Sequence, residues 1–209
     1  MSTPLPSLYL ITDRQLLPTG RQLLEVLEEL LNAGVTMIQL REKDLTAAEL
    51  FPLARDLRDL TRRHACLLLI NDRIDLALAI DADGVHLGGH SLPVAIARNL
   101  LGPEKLIGVS THSPAEVPAA AEQGADFVTF GPVYNTPSKA AYGQPVGLSN
   151  LKQACHIGSI PVYALGGVKA ENTTKILDCG AFGVAMISAL IAAKSPTKAC
   201  QKFLQLLDK

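Results

Sequence analysis

Tryptophan is absent from this chain of 209 residues, and aromatic residues make up only 4% of it. A surface that stacks nucleobases on rings is therefore not expected. Neither sign of charge dominates. Nineteen Lys and Arg face 20 Asp and Glu, for a formal net charge of −1, so no field draws the chain to nucleic acid or an anionic membrane. No apolar run approaches the roughly 20 residues that cross a bilayer. Met1 to Ser7 shows no basic segment followed by an apolar stretch, so no signal peptide is expected and the cytoplasm is the expected compartment. Cys66, Cys155, Cys179 and Cys200 are far apart and form no CxxC pattern. That spacing speaks against a disulfide framework or zinc site and for buried reduced thiols.

What is present is a long series of short apolar runs, in a chain that is 48% hydrophobic. Strands are expected at Leu8–Thr12, Thr36–Arg41, Leu67–Asn71, Gly84–Leu87, Leu106–Ser110, Asp126–Phe130, Pro161–Leu165 and Phe182–Met186. Amphipathic stretches lie between them. Gly20–Ala33 carries Leu23, Leu24, Leu27, Leu30 and Leu31 on one helical face. Thr46 with Glu49 forms a capping box for a helix reaching His64. Ser113 with Glu116, and Pro114 at the first position, predict a helix to Gln123. Further helices are expected at Arg73–Ile80, Pro93–Leu101, Leu148–His156 and Glu171–Cys179. A last helical region is broken near Ser195-Pro196.

Runs without polar alternation suit strands covered on both faces, as in parallel sheets. Eight strand–helix units match the number at which such a sheet closes on a filled interior. The expected fold is α/β, a single (β/α)8 (TIM) barrel domain over residues 1–209. An open doubly wound sheet is the runner-up.

Polar residues cluster just after the apolar runs, where a barrel of this kind does its chemistry. Arg41 and Lys43 offer a planar fork of donors and a mobile point charge for phosphate oxygens; the alternative is a solvated E-K-D loop making surface pairs. Gln39, an amide on an apolar strand, needs a partner, and a ligand could be one. Asn71-Asp72 ends the third strand. Asp72 could hold Mg²⁺ with phosphate oxygens or cap the following helix. Ser110-Thr111-His112 offers hydroxyls for phosphate and an imidazole able to move a proton, or simply a capped turn. Gly131 to Val146 is far longer than the usual βα loop of about 2–6 residues. Its Thr136-Pro137-Ser138-Lys139 has the parts of an anion cradle. Gly166-Gly167, with Ile187-Ser188 and a short extra helix at Ser188–Ala193, fits the phosphate position of many barrels. His86 and His90 read as structural or exposed. Asp126 and Asp178 read as ordinary polar residues at element ends.

Together these motifs resemble the thiamine phosphate synthase family nearly end to end. The most specific pieces are Q-L-R-E-K (39–43), I-N-D-R-x-D-L-A-L (70–78), D-G-V-H-L-G (83–88), G-V-S-T-H-S (108–113), G-A-D-F-V-T-F-G-P-V (124–133), T-P-S-K (136–139) and A-L-G-G-V (164–168). The resemblance implies a TIM barrel that joins an aminopyrimidine diphosphate to a thiazole phosphate with Mg²⁺, releasing pyrophosphate. It implies ionisation of the C–O bond, capture of the carbocation by the thiazole nitrogen, and a loop that excludes water. It places Gln39, Arg41, Lys43, Asn71, Ser110 and Lys139 on the pyrimidine and its diphosphate. Asp72 falls on Mg²⁺, and Thr136, Ser138, Gly167, Ile187 and Ser188 on the thiazole phosphate. Arg41, Lys43, Lys139 and Ser110 would carry the catalysis. Family members are often homodimers. One position departs from the family: its second Mg²⁺ carboxylate corresponds to Ser91 here, a poorer ligand for a hard dication. A thiazole tautomerase on the same barrel, relying on a histidine that matches His112, is the alternative. A non-catalytic binder of thiamine precursors is a third.

Overall fold

Strands that are apolar on both faces need cover on both, and the computed structural model supplies it. Residues 4–136 and 144–208 are described. In chain order the elements are β1 (Leu8–Ile11), α1 (Leu23–Asn32), β2 (Met37–Leu40), α2 (Ala47–Arg63), β3 (Leu67–Asn71), α3 (Ile74–Ala79), β4 (Gly84–Leu87) and α4 (Val94–Leu101). The second half runs β5 (Leu106–Thr111), α5 (Glu116–Glu122), β6 (Phe127–Phe130), α6 (Gly147–Ile157), β7 (Val162–Leu165), α7 (Ala170–Leu177), β8 (Gly183–Met186), α8 (Ser188–Ile191) and α9 (Pro196–Leu207). Every strand pairs in parallel with the next, and β8 returns to β1 through Leu8↔Val184, Tyr9↔Ala185 and Leu10↔Met186. That last ladder closes the barrel and rules out an open sheet. No helix among the described residues is long and apolar enough to cross a membrane.

Alternate strand residues face two separate cores. Leu10, Ile38, Ile70, Val85, Val128 and Val184 face outward and pack under the helices. Tyr9, Met37, Leu69, Phe127, Tyr163 and Ala185 fill the barrel interior. Each Leu, Ile, Val, Met or Phe among them contributes roughly 1.5–3 kcal/mol when removed from water. The interior is closed at its floor, where Tyr163 Oη donates to the Pro6 carbonyl at 2.6 Å.

The floor also carries one clasp used twice. Asp83, just ahead of β4, accepts Arg58 of α2 at 2.6 and 3.3 Å and the Leu68 N–H of β3 at 2.7 Å. Asp126, just ahead of β6, accepts Arg98 of α4 at 2.6 Å and the Ile107 N–H of β5 at 2.7 Å. Each carboxylate ties a helix to two strands. Losing one leaves a mostly buried guanidinium without its counter-charge, the costly way to break such a pair. Asp83→Ala is expected to cost about 3 kcal/mol and to lower the thermal midpoint by about 10 °C. Circular dichroism melting checks this, and a fall under about 2 °C would show that the clasp contributes little.

Helix boundaries follow the sequence signals closely. Thr46 and Glu49 form the expected capping box of α2. Two helices start later than expected: α1 at Leu23 rather than Gly20, and α5. α5 begins at Glu116 with Ala115 as its cap, not at Pro114 behind Ser113. Glu116 bonds instead to the His112 N–H at 2.8 Å and the Ser113 hydroxyl at 2.7 Å. The carboxylate satisfies the turn ahead of the helix, so the first helical turn opens later.

Candidate active site

The loops after β1 and β2 are joined through a buried carboxylate. Thr12 Oγ1 donates to Glu42 Oε1 at 2.6 Å and accepts the Arg41 N–H at 2.9 Å. Glu42 also accepts the Arg14 N–H at 3.0 Å and the Arg14 guanidinium at 3.5 Å. Its side chain is 1% exposed, so the alternative of a solvated E-K-D loop holds only for Lys43 and Asp44, which are outside, while Glu42 is inside. Arg14 runs on to Asp44 at 2.6 Å, and Gln15 reaches Asp44 at 3.0 Å. These bonds hold the Asp44 carboxyl down at about 2. Glu42 thus fixes the backbone on either side of itself, which carries Arg41 and Lys43. Among the described residues neither of those two cations takes part in an ion pair.

Asp72 stands at the next mouth position, with a left-handed φ of 59°. Its N–H bonds to the His86 carbonyl at 3.0 Å, continuing the β3–β4 ladder. It does not cap α3 with its side chain: the cap residue is Arg73. Its exposed carboxylate accepts instead the Ser91 hydroxyl and, at 2.7 Å, the Asn71 amide. Ser91 Oγ in turn accepts the Gly88 N–H at 2.6 Å. Ser91 is therefore held against Asp72, while His90 beside it is exposed.

Inside the mouth runs a polar chain. Gln39 Nε2 donates to Tyr9 Oη at 2.8 Å, and Tyr9 Oη lies 3.3 Å from His86 Nδ1. His86 Nε2 lies 3.0 Å from Ser110 Oγ and 3.4 Å from Thr129 Oγ1. The partner that the sequence asked for at Gln39 is thus Tyr9, at least for its amide nitrogen. Burial pushes His86 down to about 3, with smaller opposing influences of Asp72 and Arg41. The ring is neutral at ordinary pH, and both charged residues lie near it. Gly108 makes the space: a Cβ there would meet His86 Nδ1 at 2.6 Å and the Phe127 ring at 2.4 Å. His112, by contrast, sits outside with its Nδ1 3.8 Å from Glu116 and its side chain 53% exposed.

On the other side of the mouth the long loop lies against β7. Val133 N–H bonds to the Leu165 carbonyl and Tyr134 N–H to the Gly166 carbonyl, at 2.9 and 3.0 Å. Gly166 and Gly167 both take positive φ, 95° and 65°. A Cβ on Gly167 would strike Tyr134 at 2.6 Å and the Asn135 carbonyl at 2.8 Å. Only glycine lets this turn and the segment leading to Thr136 approach so closely. Ile187 and Ser188 follow β8, which is the neighbour of β7, and the short helix α8 starts there as expected. Ser138 and Lys139 lie outside the described residues.

The sequence reading missed Tyr9, Thr12, Glu42 and the interior role of His86. For Tyr9 and His86 a polar group on an otherwise apolar strand is the available signal; Glu42 lies beyond β2 and carries none.

The arrangement has counterparts. The family model described as thiamine monophosphate synthase matches residues 8–190. A protein of Geobacter sulfurreducens, provisionally named a thiamine-phosphate synthase, is 56% identical over 201 residues, covering 96% of this chain and 94% of that one. The thiamine-phosphate synthase of Syntrophomonas wolfei is 43% identical over 203 residues, covering 97% of each. The solved thiamine phosphate pyrophosphorylase of Pyrococcus furiosus superposes with a TM-score of 0.87 at 36% identity, over 97% of this chain and 95% of that one.

Proposed function

The chain belongs to the thiamine monophosphate synthase family, and from that premise we propose that it transfers an aminopyrimidinylmethyl group from its diphosphate to a thiazole phosphate. The products are thiamine phosphate and pyrophosphate. The observation that carries this reading is the pair Arg41 and Lys43, on the backbone flanking the buried Glu42 and outside any ion pair among the described residues. Two cations outside any ion pair, following β2, and a carboxylate following the neighbouring β3 suit a ligand with several negative oxygens and a metal ion.

In the reaction the bond between the methylene carbon and the diphosphate oxygen breaks, and its electron pair leaves with pyrophosphate. The lone pair of the thiazole nitrogen then forms the new C–N bond. No protein nucleophile is needed. The chain's work is to orient both substrates and to stabilise the departing charge. Gln39, Asn71 and Ser110 hold the pyrimidine end. Arg41, Lys43 and Lys139 are the cations assigned to the diphosphate. Thr136, Ser138, Gly167, Ile187 and Ser188 hold the thiazole phosphate.

The donor set at Asp72 suits Mg²⁺: a solvent-facing carboxylate, with a hydroxyl from Ser91 pressed against it. Among the described residues no three His, Cys, Asp or Glu gather as a metal cluster. Substrate oxygens and water would have to complete the shell, as they do at most magnesium–phosphate sites. When bound, Mg²⁺ supplies neutralisation of the leaving pyrophosphate.

The test is direct. Purified protein, both substrates and Mg²⁺ should give thiamine phosphate and pyrophosphate in equal amounts. Isomerisation of the thiazole with no coupling would replace this reading with a tautomerase. Tight binding with neither reaction would leave a binder. His112, turned outward over Glu116, gives the tautomerase no support.

A further inference from the structure

Gln39, Tyr9, His86 and Ser110 form a series of hydrogen bonds across the mouth, with Thr129 as a longer side contact at His86, and donor counting fixes its direction. Gln39 can give only its amide hydrogens to Tyr9, because it is Nε2 that faces Tyr9 Oη at 2.8 Å. Tyr9 has one hydrogen of its own, and burial holds that phenol well above its ordinary proton affinity. The hydrogen goes to His86 Nδ1, 3.3 Å away. A neutral imidazole that accepts at Nδ1 carries its single proton on Nε2. That N–H faces Ser110 Oγ at 3.0 Å, with Thr129 Oγ1 more distant at 3.4 Å. Ser110 Oγ is thus an acceptor on its inner side. Its own hydrogen is left to point elsewhere.

We propose that His86 is a positioning residue for the coupling reaction, locked by Tyr9 into the tautomer that makes Ser110 present a donor, and Gln39 an acceptor, to the substrate.

The two ends of the series are residues placed on the pyrimidine end above, so the inference rests on that reading and deepens it. Gln39 Oε1 accepts no hydrogen bond among the described residues. With its nitrogen committed to Tyr9, the oxygen is what remains for a ligand. The geometry of the ring is not incidental. Gly108 is the residue beside it, and any side chain there would collide with His86 and Phe127. Tyr9 and Phe127 also pack on the imidazole at ring-centre distances of 5.8 and 5.9 Å. The ring is fixed in place, and Tyr9 fixes which nitrogen carries the proton.

Five variants test it: Ser110→Ala, His86→Leu, the double variant, Tyr9→Phe and His86→Gln, whose Nε2 amide can replace the imidazole Nε2–H. Ser110→Ala and His86→Leu are each expected to lower kcat/KM for the pyrimidine diphosphate about tenfold. The double variant should lose no more than about twofold beyond either single one, since the two act through the same bond. His86→Gln should recover most of the loss, and KM for the thiazole phosphate should stay unmoved throughout. Tyr9→Phe, which keeps the ring and removes only the hydroxyl, should lower the same parameter, and it serves if His86→Leu fails to fold. Multiplying losses in the double variant, no recovery with His86→Gln, or an unaffected Tyr9→Phe would overturn the relay and leave the coupling reaction standing. Absence of coupling by the unaltered protein would overturn both.

Discussion

Replacing Asp72 with alanine is expected to lower kcat for coupling by about 10²–10³-fold. The carboxylate is exposed at the mouth, accepts from Asn71 and Ser91, and is the acidic group on which the proposed metal site centres. Its removal should cost more than a substrate contact, because the charge on pyrophosphate grows as the bond breaks. Two measurements check this: kcat at saturating substrates, and calorimetric titration of Mg²⁺ in the presence of pyrophosphate. A kcat within about tenfold of the unaltered protein, with metal binding intact, would remove Asp72 from the mechanism. Ser91 provides the converse arm. Its hydroxyl gives Asp72 a proton to share; a carboxylate in its place would repel Asp72 until a dication arrived. Ser91→Asp is therefore expected to tighten Mg²⁺ binding about tenfold and to make the metal-free protein less stable.

The second large effect is expected at Glu42. Glu42→Ala strips the acceptor from the Thr12 hydroxyl, the Arg14 N–H and the Arg14 guanidinium, all gathered around a side chain that is 1% exposed. The expected loss is about 3 kcal/mol in urea unfolding. Activity should fall as well, about 10–100-fold in kcat/KM, because the backbone that carries Arg41 and Lys43 loses its fixed position. Glu42→Gln, which keeps the shape and one acceptor, should fall between. A stability loss of that size with unchanged kinetics would mean that the two cations find their places without the clamp.

The parts of this molecule that repeat were legible in its sequence. Eight apolar runs, each followed by an amphipathic stretch, left few folds open, and every strand falls within a residue or so of its expected span. Helix α5 was harder. Ser113 and Glu116 have a cap's spacing, and nothing local says that Glu116 will serve His112 and Ser113 and delay the helix. Of the proposed site, the positions of Arg41, Asp72 and Gly167 just after their strands were legible, because they stand in recognisable motifs. Its supports were not. Glu42 is flanked by two cations in the chain and reads as a surface residue. Only the β1–β2 pairing, which brings Thr12 and Arg14 alongside, makes it a buried one. His86 likewise needs three other strands before its partners exist.

The twin clasps of Asp83 and Asp126 sit at the floor, at the far end of the strands from Asp72, Ser110 and Gly167. That separation divides labour within the molecule. An engineer who tightens or loosens the floor adjusts how long the enzyme survives heat, while the groups that choose its substrates stay as they were. A barrel arranged this way can trade one property without surrendering the other.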